Sequence, residues 1–151
     1  MSTADEKTAL KIRRARRTDA ASIAELSAEL GYPATTQQIT ARLQRLLPKT
    51  KHALFVAEVP GPRLVGWIHV SAVNLIESDL RAEVNGLIVA DSHRSLGAGA
   101  KLLVAAEDWA RNCGCRAVNV RSNVVRERAH KFYERQGYEH YKTQKAFRKP
   151  L

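Results

Sequence analysis

The feature that most constrains the fold is the run from Arg81 to Ser122, where a strand, a glycine-rich turn, a helix and a second strand follow one another. The first strand pattern is "RAEVNGLIVA", and the turn "RSLGAGA" leads directly into a strongly helical segment. Gly114 then suits a helix C-terminal cap, and "RAVNVRS" follows as a strand. Two strands joined through a helix predict a parallel pair with a crossover connection.

The rest of the chain is rich in hairpins and helices, so the predicted fold class is α/β with a mixed sheet. Helices are predicted from apolar residues at helical spacing and from capping residues, and strands from apolar runs bounded by turns. Outside the run above, the predicted elements are a strand at 9–16, helices from about Asp19 and Thr35, strands at 52–59 and 64–73, a helix from about Arg126 to Gly137, and two final strands, "YEHYKT" and "KAFRK".

Length and composition predict one soluble globular domain. The chain has 151 residues, of which 44% are hydrophobic, and we expect a loose tail at residues 1–8 and a single domain over 9–151. A run of about 18 apolar residues, which a membrane helix needs, is not found. The N-terminal segment lacks the apolar core of a signal peptide, so a cytoplasmic location is expected. Cys113 and Cys115 are too close together for a usual metal-binding pair, and no metal is predicted.

The net charge of +10 predicts an anionic partner. Nucleic acid, an anionic membrane surface and a phosphorylated cofactor all satisfy that condition. The stretch "KIRRARR" at 11–17 is strongly basic, and a nucleic-acid or anion-binding module without catalysis is therefore the alternative function. Its basic residues are not interleaved with exposed aromatics and no known DNA-binding or RNA-binding pattern is present, so we expect no specific nucleic acid and no membrane partner.

The glycine-rich turn predicts an oxyanion site. Gly97 and Gly99 stand where a helix begins, although glycine is a poor helix former. Glycine accepts backbone conformations that other residues resist and lets a ligand approach closely. The first turn of a helix also offers free amide groups and a partial positive charge, and Arg94 adds a guanidinium. Two other phosphate-binding motifs, G-x-x-x-x-G-K-[ST] and G-x-G-x-x-G, are missing.

The spacing Arg94-x-x-Gly97-x-Gly99 resembles the pyrophosphate-binding signature, R/Q-x-x-G-x-G/A, of the GNAT superfamily of acyl-CoA-dependent N-acyltransferases. The resemblance covers about residues 10–149 and includes the order of elements. It implies a mixed, mostly antiparallel central sheet with about four helices and a splayed parallel strand pair at a coenzyme A groove. It also implies that a pyrophosphate is bound by the turn residues Arg94, Ser95, Leu96, Gly97, Ala98, Gly99 and Ala100.

The same resemblance assigns roles on either side of the turn. Leu87, Ile88 and Val89 match the positions whose backbone meets the pantetheine arm. Gly86 fits either the bulge that starts the splay or a packing glycine. The run Ala129-x-x-Phe132-Tyr133 followed by Gly137 and Tyr138 resembles the family's helix ending in FYxxxGF. By this resemblance Tyr133 protonates the departing thiolate, whereas a structural interpretation makes it a core aromatic. Two further residues near this helix, Asn123 and Arg126, are predicted to contact the cofactor.

A general base and a binding site for the acceptor amine complete the prediction. Glu83 on the strand before the turn can accept the amine proton through water, or it can simply pair with an arginine. Asn85 lies on the same strand face. We therefore expect an N-acetyltransferase that moves an acetyl group from acetyl-CoA directly to a primary amine of a small molecule or peptide, and a homodimer is left open. The acceptor mouth is expected at the turn 29–35, the strand that carries Trp67 and His69, and the last hairpin. Trp67 and Tyr32 can stack on a substrate or belong to the core. The carboxylates that can attract a cationic amine, or simply be solvated surface charges, are Glu25, Glu29, Glu77 and Asp79.

Overall fold

The computed structural model describes residues 9–151, without the side chain of Ser95, and the predicted tail at 1–8 lies outside them. Within these residues the chain forms two compact units, one reaching Val120 and one from Arg121 to Leu151. The single domain over 9–151 stays a prediction. The strands are β1 (Lys11–Arg14), β2 (His52–Val59), β3 (Arg63–Leu75), β4 (Ser78–Val89) and β5 (Val118–Val120), and the helices are α1 (Ala20–Glu29), α2 (Thr36–Leu46), α3 (Ala98–Asn112) and α4 (Glu127–Arg135).

The first unit contains a five-stranded sheet whose order follows the sequence, β1-β2-β3-β4-β5. Neighbours from β1 to β4 are antiparallel, and β4 and β5 are parallel. The long connection between β4 and β5 contains α3, as a parallel pair requires. The predicted mixed, mostly antiparallel sheet with one parallel pair is therefore confirmed.

Helices cover both faces of this sheet. On β3 the indole Nε1 of Trp67 donates to Ser27 Oγ of α1 at 3.2 Å. The preceding residue, Gly66, faces the other way, where a methyl of Leu102 in α3 lies 3.0 Å from the position that a Cβ would take. Because successive strand residues point to opposite faces, α1 and α3 pack on opposite sides of the sheet. The core therefore has two layers, and α2 packs beside α1.

Local chemistry explains where the first helices begin. Thr35 and Gln38 form the predicted capping box, in which each side chain accepts a 3.0 Å hydrogen bond from the backbone N–H of the other. Asp19 precedes α1, but its side chain makes no cap hydrogen bond to that helix. It accepts instead from the backbone of Arg16 and from the guanidinium of Arg13, at 2.7 to 2.9 Å. Burial alone would raise the pKa of Asp19, but these hydrogen bonds outweigh it and hold the pKa below its ordinary value.

The two final strands predicted from "YEHYKT" and "KAFRK" are wrong. The second unit contains α4, and after it residues 138–151 form neither helix nor strand. Every side chain from Tyr141 onward is exposed. Alternating polar and apolar residues predict a strand only where one face is buried, and an isolated hairpin is barely stable in water. The pattern here has no buried face to stabilise it.

Candidate functional site

The glycine turn has the geometry of a strand-to-helix junction that needs a left-handed residue. A 3-10 turn at Asp91–Leu96 follows β4, and α3 begins at Ala98. Between them Gly97 has φ +75° and ψ 18°. Among the described residues other than its two chain neighbours, no heavy atom lies within 4 Å of the position that a Cβ would take, so backbone conformation selects glycine at this position. Leu96 is only 2% exposed and anchors the turn in the core.

The first amide groups of α3 lie at the end of the turn and point away from the body of the helix. The first intrahelical hydrogen bond runs from the amide of Lys101 to the carbonyl of Gly97, at 3.1 Å. The amides of Ala98, Gly99 and Ala100 precede it and therefore have no acceptor within the helix. Together with the helix dipole, such amides attract a phosphate or another oxyanion.

Arg94 is held within the same turn by an ion pair. Its Nη1 lies 2.8 Å from Oδ1 of Asp91, and its side chain is about one third exposed. A guanidinium has five N–H donors, so an ion pair with one carboxylate oxygen leaves further donors on Arg94. Asp91 orients Arg94 beside the start of α3 but also offsets part of the positive charge there.

The parallel strand pair beside this turn separates after three residues. β4 and β5 pair at Ala82–Val118, Glu83–Asn119 and Val84–Val120. Beyond Val84, β4 continues to Val89 in register with β3 alone, among the residues described. The backbone of residues 85–89 therefore presents a strand edge on the β5 side, and contact of Leu87, Ile88 and Val89 with a pantetheine arm stays a prediction.

Gly86 marks a bulge and also a close packing contact. His69 pairs with Gly86 and Val70 with Val84, so Asn85 is an extra residue on β4. A Cβ on Gly86 would lie 2.8 Å from two ring carbons of Trp67. Both interpretations of this glycine therefore hold. Trp67 itself is packed against the buried cluster beneath α1, which favours a core role over substrate stacking.

Glu83 is a buried carboxylate with an uncommitted oxygen. The residue is 8% exposed, and its Oε1 lies 3.3 Å from Nε of Arg81, two residues earlier on the same strand. Its Oε2 is buried and has no hydrogen-bond partner among the described residues. On the same face Asn85 donates to Ser71 Oγ at 2.8 Å, and Ser71 is the register partner of Glu83. An acceptor oxygen of this kind suits an amine or water proton.

The structure adds a histidine pair that the sequence did not reveal. Nδ1 of His52 on β2 lies 2.9 Å from Nε2 of His69 on β3, and the rings stack with centroids 5.2 Å apart. Burial, helped by the charge of the neighbouring ring, lowers the pKa of His69 to about 4. Burial and the charge of Lys49 lower the pKa of His52. The sequence could have suggested this pair only through the presence of one histidine in each of two consecutive predicted strands. The register of the hairpin is what brings the two rings into contact.

The second unit contains Tyr133 on α4. Its half-buried ring meets those of Phe132 and Tyr138 edge-on, at centroid distances of 5.2 and 5.9 Å. Burial raises the pKa of Tyr133, and the positive charge of Arg126 opposes that rise in part. The phenol is therefore protonated at neutral pH, as a proton donor must be. Its role as the acid stays a prediction.

Asn123 and Arg126 both shape the start of α4. The side-chain oxygen of Asn123 accepts from the backbone amide of Val125 at 3.2 Å. The backbone carbonyl oxygen of Asn123 accepts from Nε2 of His130 at 2.9 Å. Arg126 is the residue immediately before the helix. These local contacts account for Asn123 without a ligand, and contact of either residue with a cofactor stays a prediction.

The other residues considered for an acceptor or a metal are mostly on the surface. In the described part of the chain no group of three His, Cys, Asp or Glu side chains can hold a metal ion. Cys113 and Cys115 are free, half-buried thiols. None of the helices described is long and apolar enough for a membrane span. The acceptor-side residues that are exposed are Glu25, Glu29, Tyr32, Glu77 and Asp79.

Comparison with known proteins identifies similar sequences and similar folds. The sequence model of the acetyltransferase (GNAT) family matches residues 20–138. An aminoglycoside N(6')-acetyltransferase type 1 of Stenotrophomonas maltophilia is 31% identical over 144 residues, 93% of each chain. An aminoalkylphosphonate N-acetyltransferase of Salmonella typhimurium is 32% identical over 124 residues, 80% of this chain and 77% of that one.

Solved structures extend the comparison to the fold. An aminoglycoside 6'-N-acetyltransferase from Acinetobacter baumannii superposes with a TM-score of 0.82 at 16% identity, over 94% of this chain and 99% of that chain. Another, an aminoglycoside N-acetyltransferase in complex with CoA, superposes with a TM-score of 0.83 at 23% identity, over 94% and 95%.

Proposed function

Because the chain belongs to the acetyltransferase (GNAT) family, we propose that it moves an acetyl group from acetyl-CoA to a primary amine of a small molecule or peptide. The observation that carries this proposal is the left-handed Gly97 at the start of α3, beside the point where β4 and β5 part. A diphosphate suits the free amides of Ala98 to Ala100. The positively charged Arg94 adds a further donor for it.

The exposed edge of β4 fits the arm of the same co-substrate. Pantetheine contains two amides, and residues 85–89 offer backbone groups on their β5 side. An amide-bearing chain can pair with such an edge as an added strand does. A backbone N–H from Leu87, Ile88 or Val89 then polarises the thioester carbonyl, as oxyanion-hole donors do.

Direct transfer requires one proton to leave the acceptor and one to reach the thiolate. The amine nitrogen attacks the thioester carbonyl, so a C–N bond forms and the C–S bond breaks. We propose that the free oxygen of Glu83 takes the amine proton, directly or through one water. Tyr133 is proposed to protonate the departing thiolate. The pKa of Tyr133 is raised, whereas an ordinary thiol has a pKa of about 8.5, so proton transfer from the phenol to the thiolate is unfavourable by itself. Neighbouring groups must therefore stabilise the phenolate as it forms.

The acceptor is proposed to be a small primary amine. Two relatives support this class by their names, since one acts on aminoglycosides and the other on aminoalkylphosphonates. Glu83 supplies a buried negative charge to attract an ammonium group. Aminoglycosides are polycations, so of these two classes the +10 net charge of the chain favours an amine that also carries an anionic group, such as an aminoalkylphosphonate.

The test is a screen of amines with acetyl-CoA, monitored by thiol release and by mass spectrometry of the acetylated product. The panel contains an aminoglycoside, an aminoalkylphosphonate, a polyamine, amino-acid amides and a peptide with a free N-terminus. We expect acetyl-CoA to raise the melting temperature and at least one amine to release stoichiometric CoA. Acetyl-CoA that neither stabilises the protein nor loses its acetyl group to any amine would contradict the proposal.

A further inference from the structure

The contact between His52 and His69 joins two imidazoles from neighbouring strands through one N–H···N hydrogen bond of 2.9 Å. One ring donates and the other accepts, so each ring keeps one outer nitrogen, Nε2 in His52 and Nδ1 in His69. Protonation at one outer nitrogen can therefore be matched by proton loss at the other. This arrangement suits proton conduction between the two ends of the pair.

The pair lies on the same sheet face as the proposed base. His69 is the register partner of Gly86, and Ser71 is the register partner of both Glu83 and His52. His69 and Ser71 are two residues apart on β3, so their side chains share a face. Diagonal neighbours in antiparallel strands typically have backbone positions roughly 7–8 Å apart, a spacing across which one water can bridge two long side chains. His52 begins β2 directly after exposed residues 49–51, which is the solvent end of the pair.

Glu83 needs such an exit if it acts as the base. The carboxylate is 8% exposed, and once it has taken the amine proton it must lose that proton before the next turnover. Its nearest charged neighbour, Arg81, cannot accept a proton. Asn85 and Ser71 are bonded to each other, and neither titrates near neutral pH. On this face the strand register places the titratable ring of His69 diagonal to Glu83.

We propose that His52 and His69 form a proton relay that carries the amine proton from Glu83 to solvent, a role that rests on the proposed function. In the starting state His69 Nε2–H donates to His52 Nδ1. The proton leaving Glu83 reaches His69 Nδ1, the shared proton moves from His69 Nε2 to His52 Nδ1, and the proton on His52 Nε2 passes to water. Each ring begins and ends neutral, and rotation or exchange of the tautomers resets the pair.

The low proton affinity of the pair fits conduction better than storage. The pKa of His69 is about 4, so an imidazolium does not persist at neutral pH and the relay stays in its neutral form. The charge that acts on His52 is that of Lys49 before β2, which lowers the pKa of the ring together with burial. The Lys49 charge therefore opposes a lasting positive charge on this end of the pair.

The test compares variants that keep the hydrogen bond but interrupt the relay. His69→Gln retains an amide donor near the position of Nε2 and has no second titratable nitrogen. We expect its kcat with the best amine to fall by about 10²-fold, the lower end for a positioned proton acceptor, with an unchanged acetyl-CoA KM and melting temperature. His52→Asn, whose side-chain oxygen lies near the position of Nδ1, should behave alike, and the double variant should be no slower than either single variant because one relay is lost in all three.

Chemical rescue separates a relay from a purely structural pair. His52→Ala leaves space for a free imidazole, and we expect added imidazole to restore its kcat several-fold. His140→Gln is the matched control, since His140 is exposed and bonded to Thr143 in the second unit, and should keep full activity. Wild-type kcat in His69→Gln, or losses that are additive and insensitive to imidazole, would overturn the relay while the proposed function stands. A wild type that acetylates no amine would overturn both.

Discussion

At the residue scale, Gly86 shows how one position serves both backbone and packing. The bulge places it under the ring of Trp67, and the ring is fixed by its hydrogen bond to Ser27. We expect Gly86→Ala to lower the free energy of unfolding by about 1–3 kcal/mol, because a new methyl would overlap the ring at 2.8 Å. Urea unfolding measures the change. A Trp67→Phe background, with a smaller ring, should reduce the penalty, and equal stability of Gly86→Ala and wild type would refute the clash.

Tyr133 allows a test that removes one oxygen and keeps the ring. Tyr133→Phe preserves the edge-on contacts with Phe132 and Tyr138. If the hydroxyl protonates the thiolate, kcat should fall by about 10²-fold or more, with little change in acetyl-CoA affinity or melting temperature. Tyr138→Phe is the control for loss of a neighbouring hydroxyl. Full turnover of Tyr133→Phe, with the chemical step shown to limit the rate, would remove Tyr133 from the mechanism.

His69 links stability to pH in a defined window. Its folded pKa of about 4 lies below the ordinary value of 6.5. Between these two pH values the unfolded chain binds a proton that the folded chain does not, so the free energy of unfolding should fall as the pH falls from 6.5 to 4. The pKa of Asp19 is also lowered, but from an ordinary value of 3.8, so its effect lies below this window.

The measurement is urea unfolding at about pH 7, 5.5 and 4.5. His69→Gln should lose less stability than wild type across this range, although His52, whose pKa is also lowered, keeps part of the slope. Parallel curves for wild type and variant would show that His69 titrates normally in the folded protein.

At the scale of elements, the junction of β4, its turn and α3 is the structural unit that the proposed function needs. Gly97→Asp places a carboxylate at the helix start and should weaken acetyl-CoA binding by at least about tenfold, through charge repulsion near the free amides. Isothermal titration calorimetry measures the affinity. Gly97→Asn is the matched control, because asparagine has the same size, no charge and tolerates a left-handed backbone. Equal affinity of the Asp variant and wild type would exclude this turn as the phosphate site.

At the scale of the whole molecule, the net charge of +10 is compatible with both function classes, so the strength and salt dependence of nucleic-acid binding must separate them. Part of the basic segment at 11–17 is neutralised, since Arg13 is held by Asp19 and Glu58 in a partly buried ion-pair network. We expect DNA and RNA to bind weakly and with a steep salt dependence, as unspecific contacts do. Fluorescence anisotropy at about 50 and 200 mM salt measures this. Submicromolar, sequence-specific binding at the higher salt would favour the nucleic-acid alternative.

Most elements and the geometry of the glycine turn could be predicted from the sequence, because their causes are local. Apolar periodicity indicated the strands and helices of the first unit. The left-handed conformation of Gly97 and the capping box of Thr35 depend only on residues a few positions apart. The parallel pairing of β4 and β5 followed from one connecting helix. The final strands failed because a periodic pattern does not reveal whether any surface covers it.

Only the tertiary structure decided the chemistry of the sheet face. The sequence identified Glu83 as a candidate base, but the burial of its free oxygen and its ion pair with Arg81 depend on how the strands pack. Neither the ring of Trp67 above Gly86 nor the bond between His52 and His69 follows from spacing along the chain. Both depend on strand register, and a shift of one residue turns each side chain to the opposite face. Register is set by packing of the whole sheet, so a local pattern determines the elements while the assembled core determines which side chains meet.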